Sequence, residues 1–178
     1  AHKQNVNMKI HCSILIPIVI IGIVLLSKTQ AVVPPPDGCY PNFTTAEGCN
    51  ALDSLTTGSG NTAVGWRSLF FNTDGGFNTA VGAGALTFNN GSSNTAVGTA
   101  ALLLNTTGLS NTAVGTGTLV FNDSGFFNAA TGYFALTNNT TGSSNTANGA
   151  SALFSNTEGA SNTAAGDSVL FSNTTGQS

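Results

Sequence analysis

The sequence predicts an all-β fold, a parallel β-solenoid (β-helix or β-roll) of eight coils of about 17 residues. The first observation is a tandem repeat that begins at Thr44 and restarts at 61, 78, 94, 111, 128, 145 and 162, with 17 residues in every unit except the third, which has 16. The second is that four positions of the unit are identical in all eight copies. The third is that a unit this short, with one invariant leucine, cannot enclose a core alone, so the units are expected to stack.

Each invariant position has a structural interpretation. Alanine at position 3 and leucine at position 9 are expected to form core columns, and glycine at position 5 is expected to form a corner because glycine adopts positive φ at little steric cost. The alanines are Ala46, Ala63, Ala80, Ala96, Ala113, Ala130, Ala147 and Ala164. The leucines are Leu52, Leu69, Leu86, Leu102, Leu119, Leu136, Leu153 and Leu170. The corner glycines are Gly48, Gly65, Gly82, Gly98, Gly115, Gly132, Gly149 and Gly166. A further glycine recurs near the end of each unit, from Gly58 to Gly176.

The segments between the corners leave two geometries open. Runs such as 94–97 and 101–104 predict two flat sides of an all-β coil. Alternatively, the run from Gly98 to Asn105 predicts a short helical turn closed by the next glycine, which would give a coil like that of leucine-rich repeats. Seventeen residues are few for that class, whose units have about 20–29, so the all-β coil is favoured.

Asparagine recurs at positions 1 and 12, where identical amides one coil apart predict hydrogen-bonded ladders along the stack. Position 1 holds Asn61, Asn78, Asn94, Asn111, Asn128, Asn145 and Asn162. Position 12 holds Asn72, Asn89, Asn105, Asn122, Asn139, Asn156 and Asn173. The chain also contains N-x-S/T motifs, which are glycosylation acceptors in secreted proteins. They begin at Asn42, Asn90, Asn105, Asn122, Asn138, Asn139 and Asn173.

The chain divides into residues 1–31, a Pro-rich segment 32–43, and the solenoid 44–178. Cys39 and Cys49 form an even pair outside the first segment, with no CxxC motif and no histidine nearby. In an oxidising compartment such a pair predicts a disulfide, here one that fastens the Pro-rich segment to the first coil. A metal or redox pair is the less favoured interpretation.

The first segment has the pattern of a secretory signal. Upstream residues precede Met8 and Lys9, an apolar run extends to Leu26, and small and polar residues follow up to Ala31, where cleavage is expected. The run is shorter than the ~20 residues of a membrane-spanning helix. The alternative is a retained helix, which would then be the only contact with a membrane. Either way, the sequence predicts a protein that is secreted or lies at the cell surface.

Composition argues against several classes of function. Charged residues make up 6% of the chain, compared with roughly 25% in typical soluble domains. Beyond residue 31, the sequence contains one cationic residue, Arg67, and seven acidic residues. This excess of negative charge argues against nucleic-acid binding. The same part has no histidine and no lysine to serve as a catalytic base. We therefore predict no enzymatic activity, no cofactor and no metal site, and the low charge favours self-association.

Aromatic residues indicate where partners could bind. They fall at positions 10 and 11 and near the ends of units, and neighbouring positions of an extended chain face opposite sides. Some rings are therefore expected outside the core, as interface patches. The candidates are Phe70, Phe71, Phe77, Phe88, Phe121, Phe126, Phe127, Phe154 and Phe171. Trp66, Arg67 and Tyr133 also depart from the repeat and are scattered candidates for ligand contacts.

The motif N-T-A-V-G, at residues 61–65 and 78–82 and in later units, resembles the head repeats of trimeric autotransporter adhesins and, more closely, NTAVG-type arrays of bacterial surface and tail-fibre-like proteins. The resemblance covers residues 44–178. It implies a parallel β-roll or β-helix on a cell surface, often trimeric, that serves in adhesion or as a stalk. The 17-residue period and the added leucine differ from the adhesin pattern.

These observations predict an extracellular structural subunit that assembles into a filament or surface fibre through coil stacking and exposed phenylalanines. No polar cap is visible after the eighth unit, so we expect either that the array continues in a longer chain or that its uncapped coil pairs head to tail with another copy. The alternative is an adhesin module that binds a glycan or a protein. A minor alternative is ice binding by a threonine column. That column comprises Thr45, Thr62, Thr79, Thr95, Thr112, Thr146 and Thr163.

Overall fold

The structure is a computed structural model that describes residues 41–177, and it confirms the parallel β-solenoid. A short 3-10 segment, Pro41–Phe43, precedes eight strands, one from each coil. The strands are β1 (Thr45–Glu47), β2 (Thr62–Val64), β3 (Thr79–Val81), β4 (Thr95–Val97), β5 (Thr112–Val114), β6 (Ala129–Thr131), β7 (Thr146–Asn148) and β8 (Thr163–Ala165). They form one parallel sheet in chain order.

The register of the sheet follows the repeat, since each residue pairs with the residue at the same position of the next coil, as Ala96 does with Ala113. We number the coils 1 to 8 from Thr44, so that coil 2 begins at Asn61 and coil 8 at Asn162. The alanine at position 3 faces inward, and positions 2 and 4 face outward. Identical side chains are therefore stacked along the solenoid axis.

One of the two predicted flat sides is wrong. Residues 101–104 form turns, as do the equivalent residues of the other coils, and the helical turn proposed for Gly98 to Asn105 is not adopted. From position 5 to position 9 every second residue has positive φ, for example Gly98 at 134°, Ala100 at 56° and Leu102 at 51°. The coil therefore has one flat side, and the rest of it is a chain of tight turns.

The leucine column combines positive φ with complete burial. Leu102 has a φ of 51° and is 0% exposed. A left-handed residue costs roughly 1–2 kcal/mol, and burying a leucine contributes about 1.5–3 kcal/mol, so burial offsets the backbone strain. A β-branched side chain at positive φ is a steric outlier. This explains why the column contains leucine and never valine or isoleucine.

The core consists of the alanine and leucine columns with the small residues of position 8 between them. The predicted core residues are buried from Ala46 to Ala164 and from Leu52 to Leu153. Leu170 is the exception, at 45% exposure, because coil 8 has no coil stacked on its far side within residues 41–177. Position 8, which includes Ala85, Ala101 and Ala135, was not predicted as core but is buried in coils 1 to 7.

The two glycine columns have different physical causes. At position 5, Gly98 has a φ of 134°, and an added Cβ would lie 2.5 Å from the carbonyl oxygen of Gly115. In the second column, Gly108 has no such φ, but an added Cβ would lie 2.5 Å from the carbonyl oxygen of Gly125. The second column is therefore glycine because the next coil and the ladder amide of the same coil, here that of Asn105, leave no room for a side chain.

Both asparagine columns form buried ladders. At position 1, the Oδ1 of Asn94 accepts from the backbone N–H of Asn111 at 2.9 Å and from its Nδ2 at 3.2 Å. At position 12, Asn105 Nδ2 donates to Asn89 Oδ1 at 2.6 Å and to the carbonyl oxygen of Gly108 at 2.9 Å. No buried side-chain nitrogen or oxygen in residues 41–177 lacks a hydrogen-bond partner, so the amides satisfy a polar interior.

Coil 3 is one residue short, and a side chain replaces the missing carbonyl group. In coils 2, 5, 6, 7 and 8 one backbone oxygen accepts three consecutive N–H groups, as Asp123 does from residues 106–108. In coil 3, Asn90 Oδ1 accepts instead, from the N–H groups of Thr73 at 3.1 Å, Asp74 at 2.9 Å and Gly75 at 3.3 Å. The hydrogen bonding between coils 2 and 3 is thereby kept.

Candidate assembly surfaces

Neither a group of metal-binding side chains nor a membrane-spanning helix is found in residues 41–177. Among residues 41–177, no three or more His, Cys, Asp or Glu side chains are grouped so that they could hold a metal ion. In the same range no helix is long or apolar enough to span a bilayer. The predicted absence of an enzymatic activity and of a cofactor stays a prediction. The candidate surfaces are the two outermost coils of residues 41–177 and the sides of the solenoid.

The predicted modification sites are only partly accessible. Asn105, Asn122 and Asn139 are 0% exposed, and their amides are held in the position-12 ladder. In the folded solenoid these three amides are buried, and glycosylation at the predicted motifs stays a prediction. Asn42 and Asn90 are exposed. Asn138 and Asn173 are half-buried.

The predicted disulfide falls partly outside the described residues. Cys49 is exposed at position 6 of coil 1. Cys39 lies outside residues 41–177, as do the predicted signal segment 1–31 and most of the Pro-rich segment. The Cys39–Cys49 bond and the signal therefore stay predictions.

The last coil exposes core positions that other coils bury. Leu170 is 45% exposed, whereas Leu69 to Leu153 in coils 2 to 7 are fully buried. Beside it, Val169 is 37% and Phe171 is 42% exposed. Asn162 and Asn173, which lie in this coil, are the last members of the two asparagine ladders within residues 41–177. The far side of coil 8 therefore presents residues at core positions, with the apolar side chains next to the amides of the two ladders.

The first coil is different, because both ladder asparagines are replaced there. Thr44 occupies position 1 and Leu55 occupies position 12, where Leu55 packs against the core. Residues 42 and 43 continue the repeat backwards: the carbonyl oxygen of Asn42 accepts from Gly60 N–H at 2.8 Å, and Phe43 has the positive φ of position 17. The first and last coils of residues 41–177 are thus chemically distinct.

The phenylalanine candidates fall into an inner and an outer set. At position 11, Phe71, Phe88 and Phe121 are 44–46% exposed. At position 10, Phe70 and Phe154 are half-buried, and Phe154 stacks on Phe171 of coil 8 with ring centroids 5.0 Å apart. Near the unit ends, exposed rings also occur, at Phe77, Phe126 and Phe127. The prediction that positions 10 and 11 do not share one environment agrees with these exposures.

Three residues of coil 2 form a cluster that the sequence did not predict. The guanidinium carbon of Arg67 lies 4.4 Å from the ring centroid of Phe70 and 5.3 Å from that of Trp66. Trp66 is 57% exposed. Arg67 forms no ion pair within residues 41–177. Tyr133, the third scattered candidate, lies in coil 6 beside Phe134 instead. The contact of position 7 with positions 6 and 10 depends on the conformation of the turns between them, which the sequence did not predict.

The strand face carries the predicted threonine column next to a valine column. Thr62, Thr79 and Thr95 at position 2 are half-buried, and position 4 holds valine in coils 2 to 5, each 37–38% exposed. The threonine column is interrupted at Ala129 in coil 6. Ice binding stays a prediction for this face, and a measurement of thermal hysteresis would decide it.

A hydrogen-bond network on one edge involves Asp74, whose carboxylate accepts from Thr57 Oγ1 at 2.7 Å and from Thr56 Oγ1 at 2.9 Å. These hydroxyl donors lower the pKa of Asp74 below its ordinary value of 3.8. The carboxylate therefore links coils 1 and 2 and is committed to a structural contact.

Comparison of the chain with protein-family models, with curated proteins and with solved structures found no match. The resemblance to adhesin and surface-fibre repeats therefore stays a prediction.

Proposed function

We propose that this chain is an extracellular structural subunit that assembles end to end, with coil 8 of one copy stacked on coil 1 of the next. The observation that carries the proposal is Leu170, which within residues 41–177 is 45% exposed at a position that is fully buried in coils 2 to 7. A further coil of the same shape would bury it in the same way. Apolar groups exposed together with unpaired strand edges are typical of surfaces that bind a partner.

The backbone pattern supports head-to-tail stacking. N–H groups at positions 2, 9 and 11 donate to the next coil, as Leu102 does to the carbonyl oxygen of Thr118 at 3.0 Å. N–H groups at positions 5, 7 and 17 donate to the preceding coil, as Gly115 does to Val97 at 2.8 Å. Coil 8 carries the donors that would pair upward, at Leu170 and Ser172, and coil 1 carries the matching carbonyl positions 8 and 10.

The strength of such a joint is limited. Covering one leucine contributes about 1.5–3 kcal/mol, and each backbone hydrogen bond adds about 0.5–1.5 kcal/mol net. The loss of translational and rotational freedom costs an estimated 4–15 kcal/mol. The two sides are of similar size, so assembly is expected to be reversible and to depend steeply on protein concentration.

Secretion is part of the proposal and rests on the sequence of residues 8–31 together with the cysteine pair. Expression of the full chain with and without residues 8–31 tests it. We expect the first to be exported and shortened at its N-terminus, as mass spectrometry would show. Retention of an unprocessed chain inside the cell would contradict this part alone.

Negative-stain electron microscopy over a range of concentrations tests the end-to-end joint. We expect filaments that lengthen with concentration. Leu170→Asn should give short rods, since it removes the apolar contact while asparagine tolerates positive φ. Leu109→Asn is the matched control, because Leu109 is equally exposed, at 48%, but lies on the side of coil 4. Wild-type protein that stays as single short rods would refute the proposal and favour an adhesin module.

A further inference from the structure

The side of the solenoid carries an apolar strip of limited length. Position 11 is apolar in four consecutive coils and polar in the next three, Asn138, Ser155 and Ser172. We call the four residues Phe71, Phe88, Leu104 and Phe121 the aromatic strip. Backbone bonds keep them in register, since Phe71 N–H donates to coil 3 and Phe88 N–H to coil 4. At about 4.8 Å per coil, the strip is roughly 14 Å long.

The strip is continuous with the arginine cluster at its first coil. Phe70 and Phe71 are in contact edge to face at 4.5 Å, and Phe71 stacks on Phe88 at 4.9 Å. Through Phe70 the strip therefore reaches Arg67 and the exposed ring of Trp66. A guanidinium flanked by rings and without an ion pair to any of residues 41–177 can bind a carboxylate through two parallel hydrogen bonds.

We propose that solenoids pair side by side through the aromatic strip, with Arg67 of one copy bound to a carboxylate of a second copy of this chain. Charge complementarity supports a second copy as the occupant. Residues 41–177 contain Arg67 as the one cation. They contain six acids, Glu47, Asp53, Asp74, Asp123, Glu158 and Asp167, all but Glu47 exposed. Even without Asp74, whose carboxylate accepts from Thr56 and Thr57, every copy thus offers several exposed carboxylates to Arg67 of its neighbour.

The exposed area of the strip limits how strongly two solenoids can bind through it. Trp66, Phe71, Phe88 and Phe121 are each 44–57% exposed, which amounts to roughly 300–500 Å² of aromatic surface. That is at the upper end of the patches that monomers tolerate and below the roughly 800 Å² per partner of a stable interface. One strip is therefore a weak contact, whereas an end-joined filament repeats it in every subunit, and repeated contacts gain strength through avidity. The inference thus rests on the proposed end-to-end assembly.

The test compares filament width with filament length. We expect wild-type filaments to associate laterally into fibres wider than one solenoid. The double variant Phe71→Ser/Phe88→Ser should give filaments of single width and unchanged length, because serine is the native residue at position 11 in coils 7 and 8. Arg67→Ser, which matches the native Ser151 and Ser168 at position 7, should thin the fibres as well. Asn138→Phe, in the coil next to Phe121, extends the strip by one coil and should widen them.

The outcomes separate this inference from the proposed function. Long filaments of single width in the wild type would leave end-joining intact and overturn the lateral contact. Short rods arranged side by side would support the strip and overturn end-joining. The fluorescence of Trp66, the only tryptophan, gives a second readout. A change on adding oligogalacturonate, with filament width unaffected by the Arg67 and Phe variants, would assign the cluster to an acidic glycan and overturn pairing between copies.

Discussion

Replacing Asn105 by alanine measures how much the position-12 ladder stabilises the solenoid. Asn105 is fully buried and takes part in three side-chain hydrogen bonds, to Asn89, to Gly108 and from Asn122. Each contributes about 0.5–1.5 kcal/mol net, and the shorter side chain leaves a small cavity. We expect the free energy of unfolding to fall by about 2–4 kcal/mol.

Asn173→Ala is the matched control, with the same substitution at the same repeat position. Asn173 lies in coil 8, is half-buried, and donates one ladder bond, to Asn156 at 2.9 Å. Its loss should cost about 0.5–1.5 kcal/mol. The difference between the two variants therefore isolates the contribution of being stacked on both sides.

Urea unfolding of the wild type and both variants gives the two free energies. Far-UV circular dichroism follows the sheet, and the fluorescence of Trp66 follows coil 2, which neither substitution touches. Measurements at concentrations too low for assembly keep association out of the result. Equal losses for Asn105→Ala and Asn173→Ala, or a loss at Asn105 below about 1 kcal/mol, would refute the argument that a buried, doubly bonded amide column holds the coils together.

Three further predictions follow from backbone geometry and charge. Leu102→Ile should lower the free energy of unfolding by about 1–2 kcal/mol more than Leu102→Met, since only isoleucine is β-branched at this positive φ; equal losses in urea unfolding would contradict this. Asn90→Ala should cost about 1–2 kcal/mol by removing the oxygen that accepts three N–H groups, and an unchanged urea midpoint would show that water replaces it. For Asp74 the pKa is lowered in the folded state, so its stabilisation is present above pH 3.8 and lost as pH falls through the folded pKa. The difference in urea midpoint between wild type and Asp74→Asn should therefore shrink below pH 3.8, and a difference that does not depend on pH would exclude this carboxylate as the cause.

The repeat period was enough to predict the coils, the parallel stacking and the columns, because identical residues at a fixed spacing can only stack on each other. It predicted the glycine at position 5 for the right reason, and Gly98 indeed has positive φ. It did not predict positive φ at Leu102, since leucine has no intrinsic preference for that region and adopts it here because burial offsets the cost. The prediction of a second flat side at residues 101–104 was wrong for the same reason, since positive φ at positions 7 and 9 turns the chain there.

The surfaces were harder to predict than the core. The alternation of side-chain direction between neighbouring residues predicted different environments for Phe70 and Phe71. Phe70 is half-buried and Phe71 is exposed. It did not bring Arg67 and Phe70 together, because their contact depends on how the turns between positions 7 and 10 are folded. Leu170 was expected in the core, but it is a core residue only where another coil covers it.

The short third coil has a consequence for how such arrays can change in evolution. A deletion of one residue would ordinarily shift every later strand by one position and turn its core residues outward. Here Ala80 still pairs with Ala96 across the shortened unit, because the amide of Asn90 takes over the work of the lost peptide group. A unit that is one residue short can therefore stand among 17-residue units without a shift of register, because an asparagine at the shortened corner supplies the missing acceptor.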